Sequence, residues 1–199
     1  MGQPPIHPNT LTAARLPLAP LAVVFMLQDT LWGYVVAASL AILLEITDLV
    51  DGKVARSYGM VTSFGKLFDP FSDAFCRFTL FLGLYAIGVA DLWMIVLIFY
   101  RDSSISFFRS VAAVRNVVLA ARPSGKLKAV VQGVGTQIVF LTLVVDSVKP
   151  GLPLVDAIPW WTMFVITVVT FGSFVDYFLG NLHILRAAWA DEPAARPPR

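Results

Sequence analysis

Residues 31–56 read LWGYVVAASLAILLEITDLVDGKVAR. The first part is almost wholly apolar, and the end carries Glu45, Asp48, Asp51, Lys53 and Arg56 with no proline to stop a helix. The hydrocarbon core of a bilayer is about 30 Å thick and is crossed by about 20 apolar helical residues. The stretch is therefore expected to cross a membrane and to hold its acids at one end of the crossing. A charge at the bilayer centre costs at least about 2.5–3.5 kcal/mol on insertion scales, so acids in such a place read as functional. Asp48 and Asp51 are three positions apart, which puts them about 60° apart on one helix face. Gly52 and Ala55 beside them are small and leave the backbone open to a ligand or a neighbouring helix.

The rest of the chain reads the same way. Of 199 residues, 57% are hydrophobic and 14% charged, and the mean hydropathy is +0.75. Soluble domains average about 45–50% apolar and about 25% charged. Five further apolar stretches cover residues 11–27, 68–89, 92–114, 127–145 and 160–179, the first interrupted by Arg15, Pro17 and Pro20. The expectation is an all-α integral membrane protein of six transmembrane helices. Residues 1–10 are expected to form a cytoplasmic segment, 11–185 the membrane domain, and 186–199 a cytoplasmic tail, of which Ala190 to Arg199, rich in Pro, Ala and charge, is expected to be disordered. The start has no basic region followed by an apolar run and cleavage site, so no signal peptide is expected. A net charge of +2 is too small for a nucleic-acid footprint. Cys76, the single cysteine, excludes an internal disulfide.

Charge placement orients the bundle. With six crossings, one side holds Arg56, Lys66, Arg109, Arg115, Arg122, Lys126, Lys128, Arg186, Arg196 and Arg199. The other holds Asp29, Asp91, Asp146 and Asp156 with Lys149 as its one basic residue. The positive-inside rule then makes both termini cytoplasmic. Trp32, Trp93, Trp160 and Trp161 fall where crossings begin on the opposite side, as interfacial anchors do.

A second acidic pair, Asp69 and Asp73, is four apart and shares a face if a helix starts near Phe68, with Pro70 in its first turn. Gly59 and Gly65 let the intervening chain turn back, so the two pairs can face each other across adjacent antiparallel helices. Four clustered carboxylates repel one another unless cations bind. Mg²⁺ or Mn²⁺ suits an oxygen-lined site that also handles phosphates, and two ions about 3.5–4 Å apart would clamp the oxygens of a displacement reaction.

The run from Asp48 is D-L-V-D-G-K-V-A-R, eight residues, Gly65, three residues, Asp69, three residues, Asp73. It resembles the signature of the CDP-alcohol phosphotransferase family at every fixed position, and the six crossings resemble that family's membrane domain. The resemblance implies displacement of CMP from CDP-diacylglycerol by the hydroxyl of a second alcohol. It implies that Asp48, Asp51 and Asp69 bind one metal ion and that Asp48, Asp69 and Asp73 bind another. Asp73 matches the general base. Gly52, Ala55, Arg56, Thr62 and Gly65 match positions that hold the cytidine diphosphate. It also implies a homodimer and, in a bacterium, an inner-membrane enzyme whose site faces the cytoplasm.

The acceptor is read from three further stretches. Residues 8–20, 101–109 and 124–128 resemble the phosphatidylglycerophosphate synthase branch. Arg101, Arg109, Lys126 and Lys128 are its expected receivers of the phosphate of glycerol 3-phosphate, as an anion in a partly dry cavity needs. Ala74 stands where that branch commonly has Lys, Asp102 where it tends to have Glu, and Arg77 is closer to the inositol-phosphate and archaeal-lipid branches. A phosphatidylinositol-phosphate synthase is the alternative. Two other classes are a small transporter, toward which Asp176 leans, and a membrane scaffold assembling through glycine faces.

Overall fold

The computed structural model describes residues 8–57, 63–114 and 122–182. Among them are six α-helices: α1 (Pro8–Met26), α2 (Leu31–Ser57), α3 (Ser63–Ala86), α4 (Leu92–Val114), α5 (Pro123–Val148) and α6 (Pro153–Gly180). Short connections after α1, α3 and α5 force each next helix to return antiparallel. Each connection has one residue in the left-handed region: Asp29 at φ 50°, Gly88 at 78° and Gly151 at 82°. At the end of α3 the Val89 amide donates to the Leu84 carbonyl (2.9 Å) and the Gly88 amide to Tyr85 (3.0 Å). This Schellman pattern satisfies the last carbonyls and needs the positive φ that glycine tolerates. Asp29 is held by the Tyr34 hydroxyl, which donates to its Oδ1 at 2.8 Å.

Around the bundle the order of neighbours is α1, α2, α5, α6, α4, α3 and back to α1. The shared core includes Leu44, Phe81, Leu84, Met94, Phe140 and Met163. Helix α1 fits between α2 and α3 because its contact face is small: Ala19 and Ala22 are fully buried. The opposing face is also small. A Cβ on Gly33 would lie 2.4 Å from the Phe25 carbonyl oxygen, and one on Gly83 would lie 2.9 Å from Val23. Hydroxyls in the apolar interior donate one turn back, as Thr136 does to Gln132, Thr142 to Ile138 and Thr167 to Met163, which satisfies each of these donors within its own helix.

Among the described residues, three helical stretches are long and apolar enough to cross a membrane: Leu31–Asp48, Pro123–Val148 and Val155–Gly180. In α1 the apolar part, Thr12–Met26, is shorter, while α3 carries charged residues in its first half and α4 in its second. These apolar helices make the chain a membrane protein. At the end shared by the start of α4 and the start of α6, Asp91 Oδ2 accepts from both Trp93 Nε1 (3.2 Å) and Trp160 Nε1 (3.0 Å). Trp32 is 76% exposed and Trp161 is also exposed, as indole anchors should be.

One local expectation is corrected. Helix α3 starts at Ser63, five residues before Phe68, so Pro70 lies inside the helix and not in its first turn. Ser63 and Lys66 are polar but helix-compatible, and the apolar pattern alone could not see them. Asp69 and Asp73 stay on one helix and keep their spacing.

Gly33→Ala forces a side chain against backbone and is expected to destabilise the protein by about 1–3 kcal/mol. Gly172 has nothing within 4 Å of its Cβ position, so Gly172→Ala is expected to be neutral or slightly stabilising. Thermal unfolding in detergent checks the pair; equal effects would contradict the close α1–α2 approach.

Candidate active site

Antiparallel packing brings the start of α1, the end of α2 and the start of α3 to one end of the bundle. There α1 meets both acidic segments. Arg15 is only 2% exposed, and its Nη1 donates to Asp48 Oδ1. Thr12, three residues earlier and on the same face, donates from Oγ1 to Asp69 Oδ1 at 3.0 Å. Ser72 Oγ donates to the Thr12 carbonyl (3.2 Å), and the Cys76 thiol reaches the Arg15 carbonyl (3.5 Å). Asp73 Oδ1 accepts from Arg77 Nε at 2.9 Å, one turn along α3. Asp48, Asp73, Arg15 and Arg77 line one small cavity with Glu45 and Cys76.

Asp48 and Asp73 thus line one cavity, and Asp69 is tied through Thr12 to the same helix α1 that pairs with Asp48. Gly65 is buried at the start of α3. Asp51, Gly52, Ala55 and Arg56 continue the backbone of α2, and their side-chain surroundings lie outside the described residues, as does Thr62 entirely.

Each of the three described carboxylates commits its Oδ1, and among the described residues no hydrogen bond reaches their Oδ2 atoms. All-oxygen donors with open lone pairs suit a hard divalent cation. Among the described residues no three acidic, His or Cys side chains could hold an ion by themselves. An ion held there would need a further ligand, and Asp51, the remaining acid of the signature, has its side chain outside the described residues.

The basic residues on α4 and α5 divide into two groups. Arg101 Nη1 donates to Asp102 Oδ1 (2.7 Å) and Nη2 to Ser173 Oγ (2.7 Å). Lys128 Nζ donates to both Asp102 oxygens at 2.8 and 2.9 Å. These three side chains are nearly buried and join α4, α5 and α6. Lys126 is exposed: two positions along a helix is a turn of about 200°, so it faces away from Lys128. Arg109 lies about 12 Å along α4 from Arg101 by helical rise. It is also exposed, with its guanidinium 5.9 Å from the centre of the Tyr177 ring. Asp176, at the end of α6, accepts from Arg122 Nε and Nη2 (2.7 and 2.6 Å) and from Ser124. That makes it a clasp between α5 and α6 rather than part of a path through the membrane.

A cavity of about 340 Å³ separates α3 from α4, large enough for a substrate-sized group. Pro70 and Ala74, next in sequence to Asp69 and Asp73, form one wall with Phe71, Phe75 and Phe78. Phe99, Asp102, Ser103 and Arg109 form the other. Its lining joins the acidic end of α3 to the Asp102 cluster.

Sequence reading did not assign Thr12, Arg15, Glu45 or Asp102 a part in this site. A visible signal existed for Arg15, an arginine inside an apolar helix. The partner it would find was not visible, because helix spacing reports neighbours only within one helix.

Comparison with known proteins covers nearly the whole chain. A family model described as CDP-alcohol phosphatidyltransferase matches residues 5–172. The chain is 31% identical over 194 residues to the Bacillus subtilis CDP-diacylglycerol–glycerol-3-phosphate 3-phosphatidyltransferase, covering 91% of this chain and 97% of the relative. A Rickettsia typhi protein of the same name is 31% identical over 170 residues, 84% of this chain and 93% of the relative. A Mycobacterium tuberculosis protein named probable phosphatidylglycerophosphate synthase is 36% identical over 141 residues, 68% of this chain and 66% of the relative. The acidic signature and its facing helix ends therefore have relatives along their full length, and the chain belongs to the CDP-alcohol phosphatidyltransferase family.

Proposed function

We propose that the chain transfers the phosphatidyl group of CDP-diacylglycerol to glycerol 3-phosphate and releases CMP. The observation that carries this is a family match spanning the acidic signature, with relatives named for that reaction over most of their length. All six helices are read as crossings with both termini cytoplasmic, so the acidic end opens toward the nucleotide and the soluble acceptor. A homodimer in a bacterial inner membrane fits this reading.

When bound at Asp48, Asp51, Asp69 and Asp73, two Mg²⁺ or Mn²⁺ ions would neutralise the diphosphate and the departing CMP. The remaining work falls to the chain. Asp73 takes the proton of the acceptor hydroxyl as that oxygen attacks the β-phosphorus. The bond from phosphorus to the CMP oxygen breaks, and its electron pair leaves on CMP. A carboxylate is a weak base at neutral pH, so Asp73 contributes mainly by aligning the hydroxyl. Gly52, Ala55, Arg56, Thr62 and Gly65 are read as the cytidine diphosphate cradle. The phenylalanines of the α3–α4 cavity suit the first methylenes of the donor's acyl chains.

Arg101 and Lys128 are read as the receivers of the acceptor phosphate, with Arg109 and Lys126 guiding it in from the surface. Asp102 keeps the two buried cations paired and aligned until the phosphate arrives. An unpaired cation there would carry a large desolvation cost.

A CMP-release assay with CDP-diacylglycerol, Mg²⁺ and a panel of acceptors tests the reading directly. Release is expected with glycerol 3-phosphate and not with inositol phosphate, inositol or serine, and Asp73→Asn should lower it by about 10²–10⁴-fold. Release with inositol phosphate alone would overturn the acceptor, and full activity of Asp73→Asn the role of that residue. Lys128→Ala is expected to raise KM for glycerol 3-phosphate about tenfold or more, the worth of a charge-assisted hydrogen bond, with a smaller change for CDP-diacylglycerol. Equal changes for both substrates would mark Lys128 as a general charge.

A further inference from the structure

Two charges beside the acidic centre, one buried and one half-buried, have no part in the reaction as read above. Arg77 is 8% exposed, in the third helix one turn deeper than Asp73. Its Nε donates to Asp73 Oδ1 at 2.9 Å, and its Nη2 donates to Glu45 Oε2 at 3.3 Å. Glu45 lies on α2, three residues before Asp48. It is backed by α5, where a Cβ on Gly133 would come within 3.2 Å of Oε2. The Glu45 carboxylate is therefore confined between a guanidinium and a helix backbone that has no side chain at that point.

A guanidinium is planar and offers separate donors on its edges, so fixing one edge orients the other. With Nη2 tied to Glu45, the Nε edge can meet only a narrow range of Asp73 positions. Holding Arg77 in the bundle needs one counter-charge, and Asp73 already supplies it. Glu45 adds a second acid in an apolar helix, where acids are expensive. What it adds in return is orientation of the arginine.

We infer that Glu45 and Arg77 are positioning residues that fix the Asp73 carboxylate through Oδ1 and turn Oδ2 toward the acceptor hydroxyl. The inference rests on Asp73 being the group that meets that hydroxyl. It follows that the pair acts on the reacting geometry and not on the affinity for either substrate. A 1 Å loss of alignment can cost about 10²-fold in rate.

The test uses the full chain in detergent, with CDP-diacylglycerol, glycerol 3-phosphate and Mg²⁺, and compares Glu45→Gln, Arg77→Gln, Arg77→Lys and the double variant Glu45→Gln/Arg77→Gln. Arg77→Gln is expected to lower kcat at least about tenfold while both KM values stay within about twofold, the signature of an interaction made in the transition state. Arg77→Lys should recover part of the loss, because an ammonium can reach Asp73 without spanning to Glu45. The double variant removes both charges, so its melting temperature should return toward that of the wild type while kcat stays as low as in Arg77→Gln. Wild-type kcat in a stable double variant would overturn the inference and leave the pair a structural ion bridge. So would single effects that multiply in the double, since Glu45 is argued to act only through Arg77. Should Arg77→Gln fail to fold, Glu45→Gln at wild-type melting temperature carries the test, with a fall in kcat alone expected and an unchanged kcat overturning it. Failure of the reaction itself shows in the wild-type arm, whereas failure of this inference shows only among the variants.

Discussion

A carboxylate at the end of an apolar helix needs a donor or a cation on its inward side, where the packed helices offer it no water. In this bundle that requirement is met helix by helix. Asp48 is met by Arg15, Asp69 by Thr12 and Asp73 by Arg77. Each contact ties the acid to a second residue whose own position is set by packing. The small faces of α1, Ala19 and Ala22, let it approach α2 and α3 closely enough for Thr12 and Arg15 to reach across. The first helix is therefore part of the site, although it carries none of the signature acids.

The same constraint explains the second cluster. Arg101 and Lys128 are buried cations on different helices, and Asp102 answers both. Such a triad is a poor source of net stability, since desolvation offsets most of the attraction. In the proposed reaction its value lies in holding two cations in a fixed place for the acceptor phosphate. The ring order of the helices puts α4 beside α3, so this cluster faces the acidic end across the α3–α4 cavity. Acid for metal and base, cation for phosphate, and an apolar wall between them are what a reaction between a lipid headgroup and a soluble phosphate needs.

Much of this was legible from residue order. Helix α4 runs from Leu92 to Val114 as its hydropathy indicates, and α2 extends through its acidic end as the lack of a breaker indicates. Helix starts were less legible. α5 and α6 begin at Pro123 and Pro153, where proline suits a first turn, but the apolar runs start four and seven residues later. The acids themselves stood out by spacing, which is a local property. Their partners did not, since Arg15 with Asp48 and Arg77 with Glu45 are pairings between helices, set by rotation and depth. Arg101, Arg109, Lys126 and Lys128 looked alike in sequence. The turn of about 200° between Lys126 and Lys128 sends one out and the other in.

The central claim is that the ends of α2 and α3 form one oxygen-donor centre completed by Asp51. Counting bound Mn²⁺ by electron paramagnetic resonance on the purified chain, with and without CDP-diacylglycerol, tests it most directly. Two tightly bound ions are expected in the wild type; Asp48→Asn and Asp69→Asn alter groups read as shared by both, so either change is expected to abolish them. Mn²⁺ binding unchanged in both variants would contradict the account.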